Sequence, residues 1–423
     1  MRALPALALT ALACAAASPA FAQSNVKPPQ AQAWIDIATY SGMGMPMGMG
    51  GAGAGGAGAG GANPLSALGG LLGGGGAGAN RFGHTQDGAS GRWVDVTLYS
   101  RANASLPEAQ QAVPAGFLSP ALTLQSPKDA KPQAAPERDE PVEDQPHERP
   151  KGKLLLYWGC GEAVRAGQPR VLDMASATPA DLAKFFVGRR ATQRGAHSAA
   201  GRPVWPSPKD ARMVPEKASL VGEHQFSGAG VPEGFRFSIP AAQDLMPAIA
   251  LQQADAGGAT QLSWNALPTA RAYFAAAMGS KGENEMVIWT SSELPDTGFG
   301  LIDYQTNAAV DRWLGEKVLM KPSQTSCAIP KGVFAGGRDS GAFLRLIAYG
   351  SELNLAHPSR PADPKAPWEP VWAAKLRVKS VASAVLGMPS MAEADAQPKP
   401  ADQPADKPAT PNAIDLLRGV LGR

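Results

Sequence analysis

Three groups of residues in this 423-residue chain have the types and spacing for chemistry. The first is Met43, Met45, Met47 and Met49, interleaved with Gly44, Pro46 and Gly48. Thioether sulfur is a soft ligand that selects Cu(I). Four such groups in seven positions therefore point to copper, with His84 downstream as a further donor. The competing reading makes the run part of a Gly/Met/Ala tract, where methionine serves as an adaptable hydrophobe. The second group is Cys160, set between Gly159 and Gly161, with Cys327 far downstream. A thiol on such a turn acts as a nucleophile only beside a base, and His84, His147, His197, His224 and His357 form no motif with it. A disulfide between Cys160 and Cys327, or two separately buried thiols, are the alternatives. The third group is Asp36 and Asp95, at matched places in two similar stretches. They are either a carboxylate pair for acid–base work or Ca²⁺, or two side chains facing water.

Other chemistries have no support. There is no zinc-type Cys/His spacing and no phosphate-binding glycine loop followed by Lys and Ser or Thr. The glycine tract lacks the strand-to-helix setting of a dinucleotide fingerprint. A net charge of +3 is too small to imply nucleic acid or an anionic membrane surface as partner.

The elements that would position these groups are short and mostly extended. Glycine at 48 residues and proline at 39, with only 18% charged residues, favour loop-rich β structure with disordered segments. Residues 1–22 read as a secretory signal: Arg2, an apolar run from Leu4 to Ala17, and Ala20-Phe21-Ala22 as a cleavage site. Cleavage there removes Cys14, leaving an even pair of cysteines for an oxidising compartment. No later stretch is long and apolar enough to span a membrane.

The stretch Trp34-Ile35-Asp36-Ile37-Ala38-Thr39-Tyr40-Ser41 is echoed by Trp93-Val94-Asp95-Val96-Thr97-Leu98-Tyr99-Ser100. Period-2 alternation puts Trp and Asp on one face and the aliphatic residues on the other, which is the core face. Between the echoes, residues 42–80 hold 18 of the 48 glycines, too little side chain to bury, and read as a flexible loop. Residues 127–151 read as a charged, Pro-rich linker. Lys153-Leu154-Leu155-Leu156-Tyr157-Trp158 is the most concentrated apolar run after the N-terminus and reads as a buried strand ending at Cys160. Thr178-Pro179-Ala180-Asp181 opens a short helix. From 219 onward short strands alternate with turn signals, including Met246–Gln252, Phe343–Tyr349 and Val371–Lys379, with a helical segment at Asn307–Leu314. Trp158, Trp264, Tyr273 and Trp289 fall on strands as core residues, whereas Trp205, Trp368 and Trp372, flanked by prolines, are candidates for exposed contacts. Residues 387–423 read as a disordered tail ending in Pro411-Asn412-Ala413-Ile414-Asp415-Leu416-Leu417-Arg418-Gly419-Val420-Leu421, a short amphipathic helix that needs a partner surface.

The stretch Thr260-Gln261-Leu262-Ser263-Trp264 through Pro268 to Tyr273 resembles the second and third strands of a fibronectin type III domain. Thr325–Pro330 is similar to that family's fifth strand and Phe343–Gly350 to its sixth, with Phe343 where the family usually has tyrosine. The whole chain resembles exported bacterial proteins with a Gly-rich N-terminal insert. The expectation is a mainly β protein of two antiparallel β-sandwich-like domains, residues 31–218 and 219–380, the second fibronectin type III-like. Its expected role is non-enzymatic: an exported protein, periplasmic or secreted, that binds or scaffolds an envelope protein or polymer. Two alternatives are a Met-rich Cu(I)-binding protein and a hydrolase or sugar-acting enzyme with a cleft between the domains.

Overall fold

The computed structural model describes residues 27–42, 80–128, 152–186, 189, 195–281, 284–334, 342–363 and 365–387. Residues 1–22, read above as a signal, the four methionines, most of residues 42–80 and 127–151, and residues 388–423 lie outside these residues.

The described chain is mainly β. In its first part run β1 (Ala31–Gly42), β2 (Gly91–Ser100), β3 (Glu108–Ala112), β4 (Ala121–Gln125), β5 (Lys153–Trp158), β6 (Arg170–Asp173) and β7 (Val204–Trp205). Then come β8 (Gly222–Ser227), β9 (Arg236–Ile239), β10 (Gln252–Ala256), β11 (Ala259–Ser263), β12 (Ala272–Ser280) and β13 (Glu285–Thr290). The last are β14 (Ser326–Ile329), β15 (Phe343–Tyr349), β16 (Leu353–His357) and β17 (Trp372–Val385). Helices α1 (His84–Asp87), α2 (Pro179–Phe185) and α3 (Asn307–Gly315) interrupt them.

One sheet runs β6-β5-β13-β12-β15-β17-β1-β2-β7-β4-β3-β8-β9, with β16 added on β17. A second, three-stranded sheet runs β10-β11-β14. Strands from both sides of residue 218 therefore share one hydrogen-bonded path. Most neighbours are antiparallel, but β1 pairs with β17 and β5 with β13 in parallel. Both parallel pairs join segments far apart in sequence, as parallel pairing requires, since a tight hairpin cannot make it.

The echoed strands β1 and β2 are direct antiparallel neighbours, with Asp36 opposite Asp95. β1 is also matched along its whole length by β17, from Ala31 opposite Trp372 to Gly42 opposite Ser383. On one face of this spine Ala33, Ile35, Ile37, Val94, Val96, Leu376 and Val378 enter the main core. The aliphatic face is thus the core face, as the alternation implies. Leu262, Trp264, Cys327 and Ile329, on or beside the small sheet, enter the same core. On the opposite face, Ala38, Tyr40, Trp93 and Ile347 pack under α3 and its flanks through Leu301, Val310, Trp313 and Leu319.

Contrary to the reading of Met246–Gln252, β10 begins only at Gln252 and residues 246–251 form no strand. Their carbonyls are taken by side chains of the spine instead. Thr39 donates to Met246 O (2.7 Å), Ser380 to Pro247 O (2.9 Å) and Ser41 to Ile249 O (2.8 Å). Pro247 has no N–H for a ladder in any case. α2 starts as expected, with Thr178 accepting from the Asp181 N–H and Asp181 closing a capping box.

Candidate functional site

Alternation along the spine puts Asp36 and Tyr40 of β1, Asp95 of β2, and Arg377 and Lys379 of β17 on the face opposite the main core. These residues form a charged row. Arg377 is a two-pronged partner of Asp36: its Nε donates to Oδ1 at 2.7 Å and its Nη2 to Oδ2. The Asp36 Oδ2 also accepts the Ala196 N–H at 3.1 Å. One step along β17, Lys379 Nζ donates to Asp303 Oδ1 at 2.6 Å. Tyr304 lies between the two cations, its ring centroid 4.3 Å from the Arg377 guanidinium and 4.1 Å from the Lys379 ammonium. Its hydroxyl donates to Ile37 O at 3.0 Å. Ring faces attract cations through their quadrupole, and more so when water is excluded.

Asp95 is satisfied differently. It accepts from the backbone N–H of Gly83 (2.9 Å) and Thr85 (3.2 Å) and from the Thr85 hydroxyl. These donors come from the α1 segment, which Tyr40 also holds by donating to Thr85 O at 2.7 Å. Within α1, His84 stacks edge-on against Trp93, with ring centroids 4.1 Å apart, and meets Arg81 at 2.9 Å.

The row is sealed. Asp36 is 1% exposed, Asp95 and Lys379 2%, and Arg377 4%. The expectation that the two aspartates could simply face water is therefore corrected. The α1 segment, the strip around Gly195 and Ala196, and the loop carrying Asp303 and Tyr304 cover what would otherwise be an open polar face. Burial sets the protonation chemistry. Burial lifts the Asp95 carboxyl to about 7; bonds from Thr85 and Gly83 oppose the rise, and the nearby Asp36 charge adds to it. For Arg377 and Lys379 burial works against the charge, yet their carboxylate neighbours outweigh it and both pKa values sit above the ordinary. The row can hold a proton at Asp95 near neutral pH and keeps its cations charged. At these exposures it acts on the fold and not on a solute.

The remaining candidates fall elsewhere. Cys160, just past β5, and Cys327, in β14, have sulfurs 2.08 Å apart and Cα atoms 5.1 Å apart, the arrangement of a disulfide. The link ties the large sheet to the small one. Backbone bonds from Gly161 to Ala328 O (3.0 Å) and from Lys331 to Glu162 O (2.9 Å) flank it. Met43, Met45, Met47 and Met49 lie outside the described residues, and His84 is committed to Trp93 and Arg81. Among the described residues no three His, Cys, Asp or Glu side chains stand where they could share a metal ion, and no helix is long and apolar enough to cross a membrane. Trp264, Tyr273 and Trp289 are core residues as expected. Trp205 (0% exposed) and Trp372 (7%) are also buried, correcting their reading as exposed contacts. Trp205 sits in a strand against Phe117, and Trp372 stacks on Phe235.

An open groove of about 570 Å³ lies between β6 and α2, lined among others by Arg170, Val171, Asp173, Asp181 and Lys184. A partly exposed stack places Arg202 between Trp34 and Tyr99, at 5.9 and 5.1 Å from their rings, with His197 edge-on to Trp34. Sequence reasoning did not single out Arg377, Lys379, Asp303 or Tyr304. The available signal was Lys375-x-Arg377-x-Lys379, alternating cations on a strand, set against the alternating Trp and Asp of the echoed stretches.

No protein-family model, curated protein or solved structure matches the chain.

Proposed function

We propose that this chain is an exported cell-envelope protein of binding or scaffolding type, built as a rigid β platform, with a fibronectin type III-like unit in its second half. The observation that carries the reading is the Cys160–Cys327 arrangement, which staples the two sheets together. Such links persist in oxidising compartments and are rare in the cytosol. The charged row supports a platform role too, since its side chains are spent on holding strands together. For the fibronectin-like unit, support comes from how its strands divide. β11 and β14, similar to the second and fifth strands, pair in the small sheet, while β12 and β15, similar to the third and sixth, pair in the large one. Immunoglobulin-like sandwiches separate their strands in this way.

The test is made on the full chain expressed in a bacterial host. Fractionation should recover it outside the cytoplasm, and non-reducing peptide mapping should find the 160–327 bridge. In-cell cross-linking should then give a discrete envelope adduct. Cytoplasmic protein with two free thiols sinks the export reading. An exported, bridged protein that forms no adduct sinks the binding reading alone.

A further inference from the structure

The large sheet ends at β6, which pairs with β5 on one side and with no described strand on the other. Antiparallel pairing turns the backbone groups of successive residues alternately toward and away from the partner. The Met174 N–H donates to Gly152 O at 2.9 Å, whereas the Lys153 N–H turns the other way, to Asn284 O at 2.8 Å. Lys153 stands opposite Asp173 and Leu155 opposite Val171. The register therefore points the N–H and C=O of Val171 and the N–H of Asp173 away from β5. Asp173 O is taken by the turn that follows, accepting from the Ala177 N–H at 2.9 Å. Among the described residues no backbone group bonds to Val171 on this side. Its side chain is 51% exposed, the most exposed large apolar side chain described.

This edge is one wall of the groove of about 570 Å³, and α2 is the other. Arg170 donates to Lys184 O at 3.3 Å, so the end of α2 lies beside the start of β6. The short connection from Asp173 to Thr178 puts Asp181, in the first turn of α2, toward the other end. All four charged residues line the groove, which is thus basic at one end and acidic at the other. The four residues of β6 rise about 13 Å. A groove between a bare strand edge and a helix suits an extended peptide. Its main chain supplies the missing ladder bonds, and its alternate side chains supply specificity. The edge is short and charged at both ends, which discourages open-ended pairing and selects by charge.

We propose that an extended segment of another polypeptide adds antiparallel to β6 in this groove, with a basic residue opposite Asp173, an apolar one opposite Val171 and an acidic one opposite Arg170. Opposite charges across a ladder are favourable and like charges are not. The inference rests on the binding reading and gives it a site and a partner chemistry.

The probe is a capped, fluorescent Lys-Thr-Val-Glu peptide titrated with the full chain and followed by anisotropy. Saturable binding is expected, about fivefold weaker for the reversed Glu-Thr-Val-Lys and for a peptide N-methylated at its valine. The Arg170→Glu chain should prefer Lys-Thr-Val-Lys to Lys-Thr-Val-Glu by about the same factor, a switch that misfolding does not produce. Bound peptide should also slow hydrogen exchange at the Val171 amide. No saturation by about 1 mM, or equal affinity for all the peptides, overturns the proposal. Tighter binding of the reversed peptide overturns it in favour of a parallel strand. Protection of the Val171 amide that grows with protein concentration in the absence of peptide overturns it in favour of a second copy. If the peptides fail while the envelope adduct forms equally with wild type and Arg170→Glu, the site is wrong and the binding reading stands.

Discussion

Asp95 is the side chain whose ionisation the fold opposes most plainly. Its folded pKa of about 7 stands above the ordinary aspartate value of about 3.9. Between those values the folded protein binds more protons than the unfolded chain. Its contribution to stability is therefore fully present at low pH and lost as pH rises through that window. His224, buried against Phe237 and bonded to Leu220 O, has its pKa lowered by burial, and so does His197. Their contributions run the other way and are lost as pH falls below about 6.5. Asp95→Asn isolates the aspartate. The stability of wild type relative to this variant, from urea midpoints, should decline between about pH 4 and pH 7 and level off above; a flat difference removes the account. Arg377 gives a sharper test. Replacing it with Leu strands the Asp36 charge in the interior and should cost roughly 3–5 kcal/mol, while Asp36→Leu with Arg377→Leu should recover much of that loss. A single variant within about 1 kcal/mol of wild type means the pair is not desolvated as described. Asp36 and Asp95 were legible in the sequence as matched positions. Their burial was not, because alternation assigns a face without saying what covers it.

At the scale of elements, strand positions were largely legible and strand partners were not. β1 and β2 follow the echoed alternating stretches, and β5, β12, β13 and β15 fall on the apolar runs read as strands. β16 and the two-residue β7 carry too weak a pattern to read, and β17 runs well past the Lys379 end assigned to it because Ser380, Ser383 and the alanines dilute its β signal. No periodicity could show that β17 would lie parallel to β1, since that choice is made by the register of a charged row. The two cysteines were legible as an even pair, and the structure adds which elements they join. The link closes a separation of 167 residues between the end of β5 and β14, beside the backbone bonds from Gly161 to Ala328 O and from Lys331 to Glu162 O. Removing it with Cys160→Ser and Cys327→Ser should lower stability by about 2–5 kcal/mol. The expected readout is a lower denaturation midpoint with unchanged far-UV dichroism. An unchanged midpoint would mean that those backbone bonds and the packing of Leu262, Trp264 and Ile329 hold the small sheet in place without the link.

At the scale of the whole molecule, the sheet order makes the N-terminal segments part of the second half's structure. β17 has β15 and β16 along one edge and β1 along the other for its first twelve residues. β13 likewise depends on β5 for its outer partner. A fragment of residues 219–387 keeps the β10-β11-β14 sheet and the β13-β12-β15-β17 part of the large one but loses β1 and β5. It exposes one long edge of β17 and one edge of β13, the kind of unpaired template that drives aggregation. It also removes Asp36 and two of the segments that seal the charged row, α1 and the strip around Ala196, so the face of β17 that carries Arg377 opens to water. A folded 219–387 unit would thus lose the apolar burial that β1 and β5 supply, against a total stability of only about 5–15 kcal/mol for a typical domain. The expected outcome is that this fragment alone shows no cooperative thermal transition. Mixing it with residues 27–218 should restore one, and in the intact chain both parts should melt together in a single calorimetric peak. A fragment that melts cooperatively by itself, near the temperature of the intact protein, would show that the β1–β17 pairing joins two already stable bodies and does not complete one.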